Sequence, residues 1–516
     1  MPIFVPREAH ILSDIGRFSR AVLGMPLYSY QLQPLRAVID SILRGRGDEF
    51  LLVFSRQSGK NEAVAHLMVY LLNLYRRRSA NIVFAAIGDG LGRGQKRLQQ
   101  RLDNPWNSGE WRAASQPSRT MLGQAAVVFL SSHPQAAARG ETAGLLLVVD
   151  ELQDQDPLHL EAVFTPMRAA SNATAVYLGT VRTRHDALWL KKIELEQQQE
   201  KDGRQRVFTA GPSAVCSANP AYGRFLQKRV ARHGRYHPVI ASEYFLEPLE
   251  GAGLLFPPRR LALMRGSHAR QRLPSGDAPV VALLDIGGQD EAATESMPEL
   301  ENPARDYTVC TIVRLFYPTT ADLPSYAALD CFAAQGMRFF ASPPGEEPLA
   351  ERLLAYLRAW SVAHLVADAT GVGEGLVDWL AARLGRSLVT PFKFNRRSKA
   401  GLGTAFLSLV ESGRFSYWSD DAEEIGSDGW WFWQQAAHCV YDLASGGVLQ
   451  SDMRWQVPAA ARVSTPRGRR PVHDDRLLSA ALIAEIDRLL RDGKLSLGSA
   501  RSAVIPPIDP LAGLAF

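Results

Sequence analysis

Residues 54–62 read FSRQSGKNE and are the first candidates for chemistry, because the segment has most features of a phosphate-binding loop. Such a loop needs inward-facing backbone N–H groups, a helix N-terminus aimed at the anion, a lysine for the β- and γ-phosphates and a hydroxyl for Mg²⁺. Gly59 and Lys60 follow an apolar run and precede the helical pattern AVAHLMVYLL. Phe54 stands where the first glycine is usual, and Asn61 where Ser or Thr is usual. Taken alone, the pattern leaves an ordinary loop between a strand and a helix open.

Two further strand ends carry residues suited to nucleotide hydrolysis. The run LLLVVDE ends in Asp150 and Glu151. An aspartate at a strand tip can hold the Mg²⁺ shell, and a glutamate after it can polarise the attacking water. The run YLGT (177–180) offers small residues suited to sensing the γ-phosphate. Tyr30 and Gln31 are candidate adenine contacts, although an amphipathic helix with a polar start explains them more simply.

The second half of the chain carries acids that indicate a metal-dependent nuclease. Hydrolysis of a phosphodiester with two metals needs several carboxylates around ions about 4 Å apart. Asp285 follows VVALL, Asp368 ends HLVAD, and Asp474 and Asp475 begin the helical run DDRLLSAAL. Each acid taken alone is more simply explained as structural, and Asp474 in particular as a helix cap. Three acids, each at the tip of an element that a ribonuclease-H-like sheet places centrally, favour the nuclease.

Two more acids, Asp306 and Glu374, lie close in sequence to this set and are expected to have supporting roles at most. Arginines just before the Asp474–Asp475 pair (462–470) are candidates for holding a DNA backbone beside the metals. The aromatic run DGWWFWQQAAH (428–438) is expected to belong to the core rather than to a base-stacking surface.

Alternating strand and helix patterns predict a mostly parallel, doubly wound α/β sheet in the first half. A second α/β pattern begins at PVVALLDIGG, and a final helix is predicted over 474–491. The expected domains are an ATPase-type domain over 1–250 with a lead-in at 1–27, a Gly- and Pro-rich connector over 251–276, a ribonuclease-H-like domain over 277–491 and a partly disordered tail over 492–516.

Composition narrows the class of protein. The 516 residues exceed the roughly 250–300 that one core can serve. No apolar run approaches the ~20 residues needed to cross a bilayer, so no membrane contact is expected. The four cysteines form no C-x-x-C pair, which argues against a disulfide framework or a zinc module and fits a reducing cytoplasm. The net charge of +5 is compatible with nucleic acid but does not establish it.

The order of these motifs resembles the large subunit of the terminase that packages DNA in tailed bacteriophages. That family has Arg-Gln before x-Gly-Lys and tolerates Asn after the lysine, as SRQSGKNE does here. ARGETAGLLLVVDELQD (138–154), YLGT and SANPAYGRF (217–225) resemble its later ATPase motifs. PFKFNRRSKAGLGTAFLSLVESGRFSYW (391–418) and HDDRLLSAAL resemble its nuclease segments. The resemblance covers about residues 25–490.

The resemblance implies roles in an ATPase site that uses ATP with Mg²⁺. Lys60 would hold phosphate, Arg56 would sense or stabilise the γ-phosphate, and Glu151 would activate water. The nucleotide-binding set would be Ser55, Arg56, Gln57, Ser58, Gly59, Lys60, Asn61, Asp150, Gln31 and Thr180, with Asp150 and Asn61 supporting Mg²⁺. Gly179 and Thr180 would couple hydrolysis to movement.

An arginine finger acting on a neighbouring subunit is also implied. Arg139 is the candidate, with Arg56 and Arg182 as competitors for the same role.

In the second domain, the resemblance implies a fold like those of ribonuclease H and RuvC, with two Mg²⁺ or Mn²⁺ ions. Asp285, Asp368 and the pair Asp474–Asp475 would bind the metals, and the resemblance does not say which member of the pair touches them. Asp285, Asp368 and Asp475 are the expected catalytic acids.

The activity implied is ATP-driven translocation of double-stranded DNA into a procapsid, with endonucleolytic cutting of concatemeric DNA. The implied partners are DNA, the portal protein, the small terminase subunit and further copies in a ring on the portal, with a monomer in solution left open. The implied location is the host cytoplasm, with transient residence on the portal and absence from the mature virion. A helicase–nuclease of repair or defence and a non-catalytic DNA-binding assembly protein remain the alternatives.

Overall fold

The computed structural model describes residues 6–115, 118–135, 141–184, 186–250, 252–287, 306–318, 323–336, 338–342, 345–443, 453–466 and 468–497. Arg139 and residues 498–516 of the expected tail lie outside these ranges. The chain divides into two compact units. The first comprises residues up to 227 together with 238–250, and the second comprises 228–237 together with residues from 251 onward.

The first unit is built on an eight-stranded sheet. Its strands are β1 Glu49–Phe54, β2 Ala80–Ala86, β3 Trp111–Ser115, β4 Ser118–Leu122, β5 Ala125–Ser131, β6 Leu146–Val149, β7 Thr174–Gly179 and β8 Val207–Ala210. They lie in the order β3-β4-β5-β2-β6-β7-β1-β8. In this order, every neighbouring pair from β5 through β2, β6, β7 and β1 to β8 is parallel. The pairs β3–β4 and β4–β5 at the other edge are antiparallel. The predicted mostly parallel α/β sheet is confirmed.

Helices follow β1, β2, β6 and β7 along the chain, which gives the crossover connections that parallel pairing requires, and other helices precede β1 and follow β8. They are α1 Pro6–Leu12, α2 Ile15–Ala21, α3 Ser29–Leu43, α4 Lys60–Tyr75, α5 Asp89–Leu102, α6 Pro157–His159, α7 Ala187–Asp202, α8 Pro212–Ala218, α9 Pro220–His233 and α10 Pro238–Glu243. The central strands are buried on both faces and read as continuous apolar runs, LLVF in β1 and LLVV in β6. β7 lies between β1 and β6, so the ends of these three strands share one edge.

The second unit contains a six-stranded mixed sheet, a three-stranded sheet and a hairpin. The strands are β9 Ala252–Leu254, β10 Val280–Asp285, β11 Tyr307–Phe316, β12 Ser325–Gln335, β13 His364–Asp368, β14 Val389–Phe392, β15 Phe415–Ser416, β16 Val440–Leu443, β17 Met453–Gln456, β18 Arg462–Thr465 and β19 Gly468–Pro471. The main sheet has the order β14-β13-β10-β11-β12-β15, with β10, β11 and β12 antiparallel and β10, β13 and β14 parallel.

The helices of this unit cover the main sheet and carry part of the site. They are α11 Pro258–Met264, α12 Leu349–Ala359, α13 Gly373–Leu384, α14 Arg396–Glu411, α15 Asp428–His438, α16 Asp475–Ala481 and α17 Ile483–Arg491. A long antiparallel β10–β12 meander followed by parallel strands confirms the predicted ribonuclease-H-like α/β architecture.

Two local expectations differ from the structure. The single helix expected over 474–491 is two helices, because the chain tightens at Leu482, whose N–H is shared between the carbonyls of Leu478 and Ser479. The segment 251–276, whose Gly and Pro content suggested a connector, contains β9 and α11. Phe256 and Met264 of this segment are fully buried, so apolar burial orders it despite its composition.

Candidate active sites

A tight loop joins β1 to α4 and ends at Gly59, the residue before the first turn of α4. Gly59 has a φ of 86°, which glycine adopts without strain. A Cβ at this position would lie 2.7 Å from Gln31 Nε2, so a larger residue would also collide with a neighbour. The loop therefore delivers the N-terminus of α4, with its unpaired N–H groups, to the edge where β1 ends.

Lys60 lies in this first turn and is almost fully buried. Its Nζ donates to Thr180 Oγ1 at 3.2 Å and to the carbonyl oxygen of Phe54 at 3.4 Å. Burial lowers the pKa of the Lys60 ammonium, and the charges of Glu151 and Asp150 oppose that effect. A buried lysine with only neutral hydrogen-bond partners is favourably placed to receive an anion.

Asp150 and Asn61 face each other beside Lys60. Asn61 Nδ2 donates to Asp150 Oδ2 at 2.9 Å. Burial raises the pKa of Asp150 to about 6, the neighbouring Glu151 adds to the rise, and Lys60 opposes it. The two side chains expected to support Mg²⁺ thus meet, and burial beside Glu151 makes a cation at the Asp150 carboxylate favourable. Oxygen ligands beside a phosphate loop fit Mg²⁺.

Gln153 joins the expected water-activating residue to the expected coupling residue. Its Nε2 donates to Glu151 Oε2 at 2.7 Å, and its Oε1 accepts from the Thr180 N–H at 3.2 Å. A Cβ at Gly179 would lie 2.4 Å from Gln153 Oε1, so glycine leaves room for this bridge. Gln153 was not predicted as a site residue. The only indication of it in the sequence is its position two residues after Glu151.

Arg56 lies in the loop and forms an ion pair with Glu243 at the end of α10. The Arg56 N–H also donates to the Glu243 carbonyl at 2.7 Å, and Tyr222 Oη donates to the Arg56 carbonyl at 2.9 Å. Ser55 Oγ donates to the Tyr244 carbonyl at 2.6 Å. The loop is therefore fastened to α9 and to the end of α10.

Gln31 and Tyr30, the candidate adenine contacts, lie against the same loop. Tyr30 Oη donates to the Ser58 carbonyl at 2.8 Å, and Gln31 Nε2 lies 3.3 Å from the carbonyls of both Ser58 and Gly59. Their observed contacts brace the loop backbone, and the adenine contact stays a prediction.

Arg182 and Arg139 are the other candidates for the arginine finger, and only Arg182 lies within the described residues. Arg182 is paired with Asp154 at 2.6 Å. Arg139 lies outside the described residues, so its role as an arginine finger also stays a prediction.

In the second unit, Asp285 and Asp368 end neighbouring parallel strands. Leu284 of β10 is in register with Ala367 of β13, so the next positions, Asp285 and Asp368, are also neighbours. Side chains at matching positions of adjacent parallel strands project to the same face. The pKa of both carboxyls is raised by burial, and for Asp285 the charges of Asp475, Asp368 and Asp474 add to it.

Helix α16 brings Asp475 to the same strand end. Ser479, one turn along the helix, donates from Oγ to the Leu283 carbonyl at 2.8 Å and lies 2.7 Å from Thr311 Oγ1, which fixes α16 against β10 and β11. Asp475 is 2% exposed, and its Oδ2 has no hydrogen-bond partner within the part of the chain that the structure describes. Burial, together with the charge of Asp306, raises the pKa of Asp475 to about 7.

Asp474 does not act as the helix cap that its position allows. It precedes α16, but its side chain makes no capping hydrogen bond. It accepts instead from Lys399 Nζ at 3.2 Å. Trp455 Nε1 donates to the Lys399 carbonyl at 2.7 Å, so Lys399 is held in α14 beside the acids. Lys399 lies in the segment 391–418, which resembles a terminase nuclease segment but in which no residue was assigned a role.

Asp306 and His473 form a further part of this cluster. His473 Nδ1 lies 3.0 Å from Asp306 Oδ1, and one ligand atom from each of Asp306, His473 and Asp475 lies within 4.8 Å of the others. Asp306 was expected to be supporting at most, and His473 was given no role. Glu374 instead pairs with Lys393 at 3.0 Å in an exposed position.

The residues present fit divalent cations. Carboxylate oxygens are suitable ligands for Mg²⁺ and Mn²⁺, and the histidine imidazole is a ligand for transition-metal ions. The unpaired, buried Asp475 oxygen and the mutual repulsion of Asp285 with its neighbouring acids both identify a place where positive charge would be stabilising.

Comparisons with known proteins give similar solved structures and nothing else. No family model and no curated protein matches the chain. A large terminase from a thermophilic bacteriophage, solved in complex with ADP, is 10% identical with a TM-score of 0.46, covering 89% of this chain and 99% of that one. The HK97 bacteriophage large terminase is 14% identical with a TM-score of 0.38, covering 93% and 100%. The large terminase nuclease from thermophilic phage G20c with bound magnesium is 17% identical with a TM-score of 0.30, covering 45% and 96%.

These identities and TM-scores are low, so the residue assignments above rest on the geometry of this chain.

Among the described residues, no helix combines the length and apolar character that crossing a bilayer requires.

Proposed function

We propose that the chain is the large-subunit type of DNA-packaging terminase, an ATP-driven translocase of double-stranded DNA that also carries a metal-dependent endonuclease. The proposal is supported by two groups of side chains suited to phosphate chemistry, one in each unit. In the first unit the charges of Glu151 and Asp150 act on buried Lys60, and in the second the charges of Asp475 and Asp368 act on buried Asp285.

In the first site, ATP would bind with its phosphates in the loop before α4. Lys60 would exchange its bond to Thr180 for the β- and γ-phosphates, while Asn61 and Asp150 would hold Mg²⁺. Glu151, oriented by Gln153, would accept a proton from the attacking water. Because Gln153 also accepts the Thr180 N–H, a movement of Glu151 would be passed to Thr180, the residue that follows β7.

In the second site, Asp285, Asp368 and Asp475 would hold two divalent cations, which supply an activated water and stabilise charge on the scissile phosphate. Lys399 lies beside Asp474 and adds positive charge where a DNA phosphate would arrive. His473, whose Nδ1 pairs with Asp306, would act as a proton carrier beside the acids. No base-reading element is needed for this chemistry, so weak sequence dependence is expected.

The packaging role brings further proposals. Its partners would be DNA, a portal protein, a small terminase subunit and other copies of the chain in a ring. Its location would be the host cytoplasm. These proposals rest on the resemblance of the order of motifs to the terminase family.

A pair of variants tests the enzymatic core. Lys60→Ala should abolish DNA-stimulated phosphate release from ATP but leave plasmid cutting in Mg²⁺ or Mn²⁺ intact. Asp285→Asn, which keeps the shape of the side chain, should do the reverse. Survival of both activities in both variants would overturn the assignment, and absence of ATP hydrolysis in the unmodified protein with DNA would remove the motor.

A further inference from the structure

A pocket of about 520 Å³ opens beside the acids of the second unit, and most of its lining residues are not among the proposed metal ligands. His473 and Asp475 line it on one side, so the pocket and the candidate metal centre share a wall. Its volume lies within the roughly 300–1,000 Å³ of sites that hold small ligands. A pocket of that size accepts one nucleotide but not a double helix.

Other residues that line the pocket offer an aromatic ring and amide groups. Trp431 of α15 lines the pocket and is only partly buried. Gln435, one turn along α15, accepts the Leu477 N–H at 3.0 Å through Oε1, which fixes the orientation of its amide. The amide nitrogen of Gln435 is then the donor that this side chain offers to a ligand. An indole ring with a nearby amide donor suits a nucleobase.

The hairpin β18–β19 supplies a cation to the same pocket. Arg470 lines the pocket, and its partner in register is Val463. Val463 is buried with Trp430, and Trp431 packs against this cluster. The hairpin and α15 are therefore held together, which keeps Arg470 and Trp431 at the same pocket. Arg469 precedes Arg470 on the strand, so its side chain projects from the opposite face, and it does not line the pocket.

We propose that this pocket holds one unpaired nucleotide of the DNA strand being cut, next to the scissile phosphate, with its base against Trp431 and its backbone phosphate near Arg470. The proposal rests on the nuclease function proposed above and adds the state in which that nuclease takes its DNA. The cluster acts on one phosphate of one strand, and the adjoining nucleotide fits the pocket only after leaving the base stack. Aromatic surfaces bind any base in this way, without reading the sequence.

Cutting should therefore be faster where the DNA is already open. The test uses the full chain under single-turnover conditions with Mn²⁺, and two duplexes of equal length, one fully paired and one with a short central mismatched bubble. The unmodified protein should cut at the bubble about tenfold faster or more, as loss of stacking and gain of aromatic contact imply.

Variants assign that preference to the pocket. Arg470→Ala and Trp431→Ala should bring the rate ratio of bubble to paired duplex close to one, while Trp431→Phe, which keeps an aromatic ring, should retain most of it. Arg469→Ala is the matched control for loss of a charge from the same strand, so it can slow the cutting of both duplexes but should leave the ratio of the two rates unchanged. If Trp431→Ala fails to fold, as judged by thermal melting, Arg470→Ala still decides.

The inference is overturned if the unmodified protein cuts both duplexes equally fast, or if folded Arg470→Ala keeps the full preference. These results leave the proposed nuclease intact, because Asp285→Asn would still abolish cutting. Cutting that persists in Asp285→Asn would instead contradict the nuclease assignment itself.

Discussion

Asn61 Nδ2 donates to Asp150 Oδ2 at 2.9 Å, joining the residue after the loop lysine to the acid at the end of β6. The two residues lie 89 positions apart in the sequence. They meet because β7 alone separates β1 from β6, so that α4 begins above the end of β6. Asn61, in the place of the usual hydroxyl residue, therefore keeps a contact with the acid expected to support Mg²⁺.

Replacing Asn61 should test this contact. Asn61→Ala leaves the buried Asp150 carboxylate without its amide donor, and such a loss costs about 1–3 kcal/mol. We expect DNA-stimulated ATP hydrolysis to fall by about tenfold or more, a fall that corresponds to about 1.4 kcal/mol. Asn61→Ser restores a hydroxyl and should retain most of the activity. Phosphate release at saturating ATP measures both, and equal rates for Asn61→Ala and the unmodified protein would show that the contact has no part in hydrolysis.

Gln153 should be required for linking hydrolysis to movement. Gln153→Ala removes the bridge between Glu151 Oε2 and the Thr180 N–H but leaves Lys60 and Asp150 in place. Binding of a fluorescent ATP analogue should therefore change little, while ATP hydrolysis and DNA translocation should both fall, translocation more than hydrolysis. The comparison is with Gln155→Ala, which removes a bond to the Asp150 carbonyl instead. A fall in nucleotide affinity alone would contradict the bridging role.

The strands that lead to Lys60, Asp150, Asp285 and Asp368 could be predicted because each is a buried apolar run with a polar terminus. The meeting of these residues could not be seen in the pattern, since it depends on the order of strands in each sheet. Gln153 was missed for the same reason. It lies in a 3₁₀ turn after β6, and only the adjacency of β7 gives it a partner.

Asp306 and His473 show a second limit. They lie 167 positions apart, and Asp306 immediately precedes β11, where an exposed acid is common. Only the packing of α16 against β10 and β11, fixed by Ser479, brings His473 to it. The helix 474–491 was predicted in outline, but its division at Leu482 follows from hydrogen bonding that no periodicity records.

The acid cluster should give the metal-free protein an unusual dependence of stability on pH. The pKa of Asp475 is raised to about 7 by burial and by Asp306, so the folded state keeps a proton that the unfolded chain loses near pH 4. The unfolded state then binds fewer protons between about pH 4 and 7, and the free energy of unfolding should fall as the pH rises through this range. Thermal melting in EDTA measures the effect, and Asp475→Asn should flatten it.

Metal should reverse that trend, because cations bind the deprotonated acids. Mg²⁺ or Mn²⁺ should raise the melting temperature more at pH 8 than at pH 5, and Asp475→Asn should lose most of the increase. A metal-induced rise of equal size at both pH values would contradict the acid cluster as the binding site.

His473 should affect cutting without affecting the fold of the sheet. Its Nδ1 pairs with Asp306, and its position next to Asp474 places it at the edge of the cluster rather than within α16. His473→Ala should slow plasmid cutting by about tenfold or more if the imidazole is a ligand or proton carrier, since general acid–base groups contribute about 10²–10⁴-fold. His473→Gln keeps hydrogen bonding to Asp306 but cannot carry charge. Cutting rates measured across pH 6–9 distinguish a proton carrier from a structural contact. If His473 carries a proton, His473→Gln changes the shape of the pH–rate profile. If His473 only makes a structural contact, His473→Ala lowers the rate equally at every pH and His473→Gln restores it.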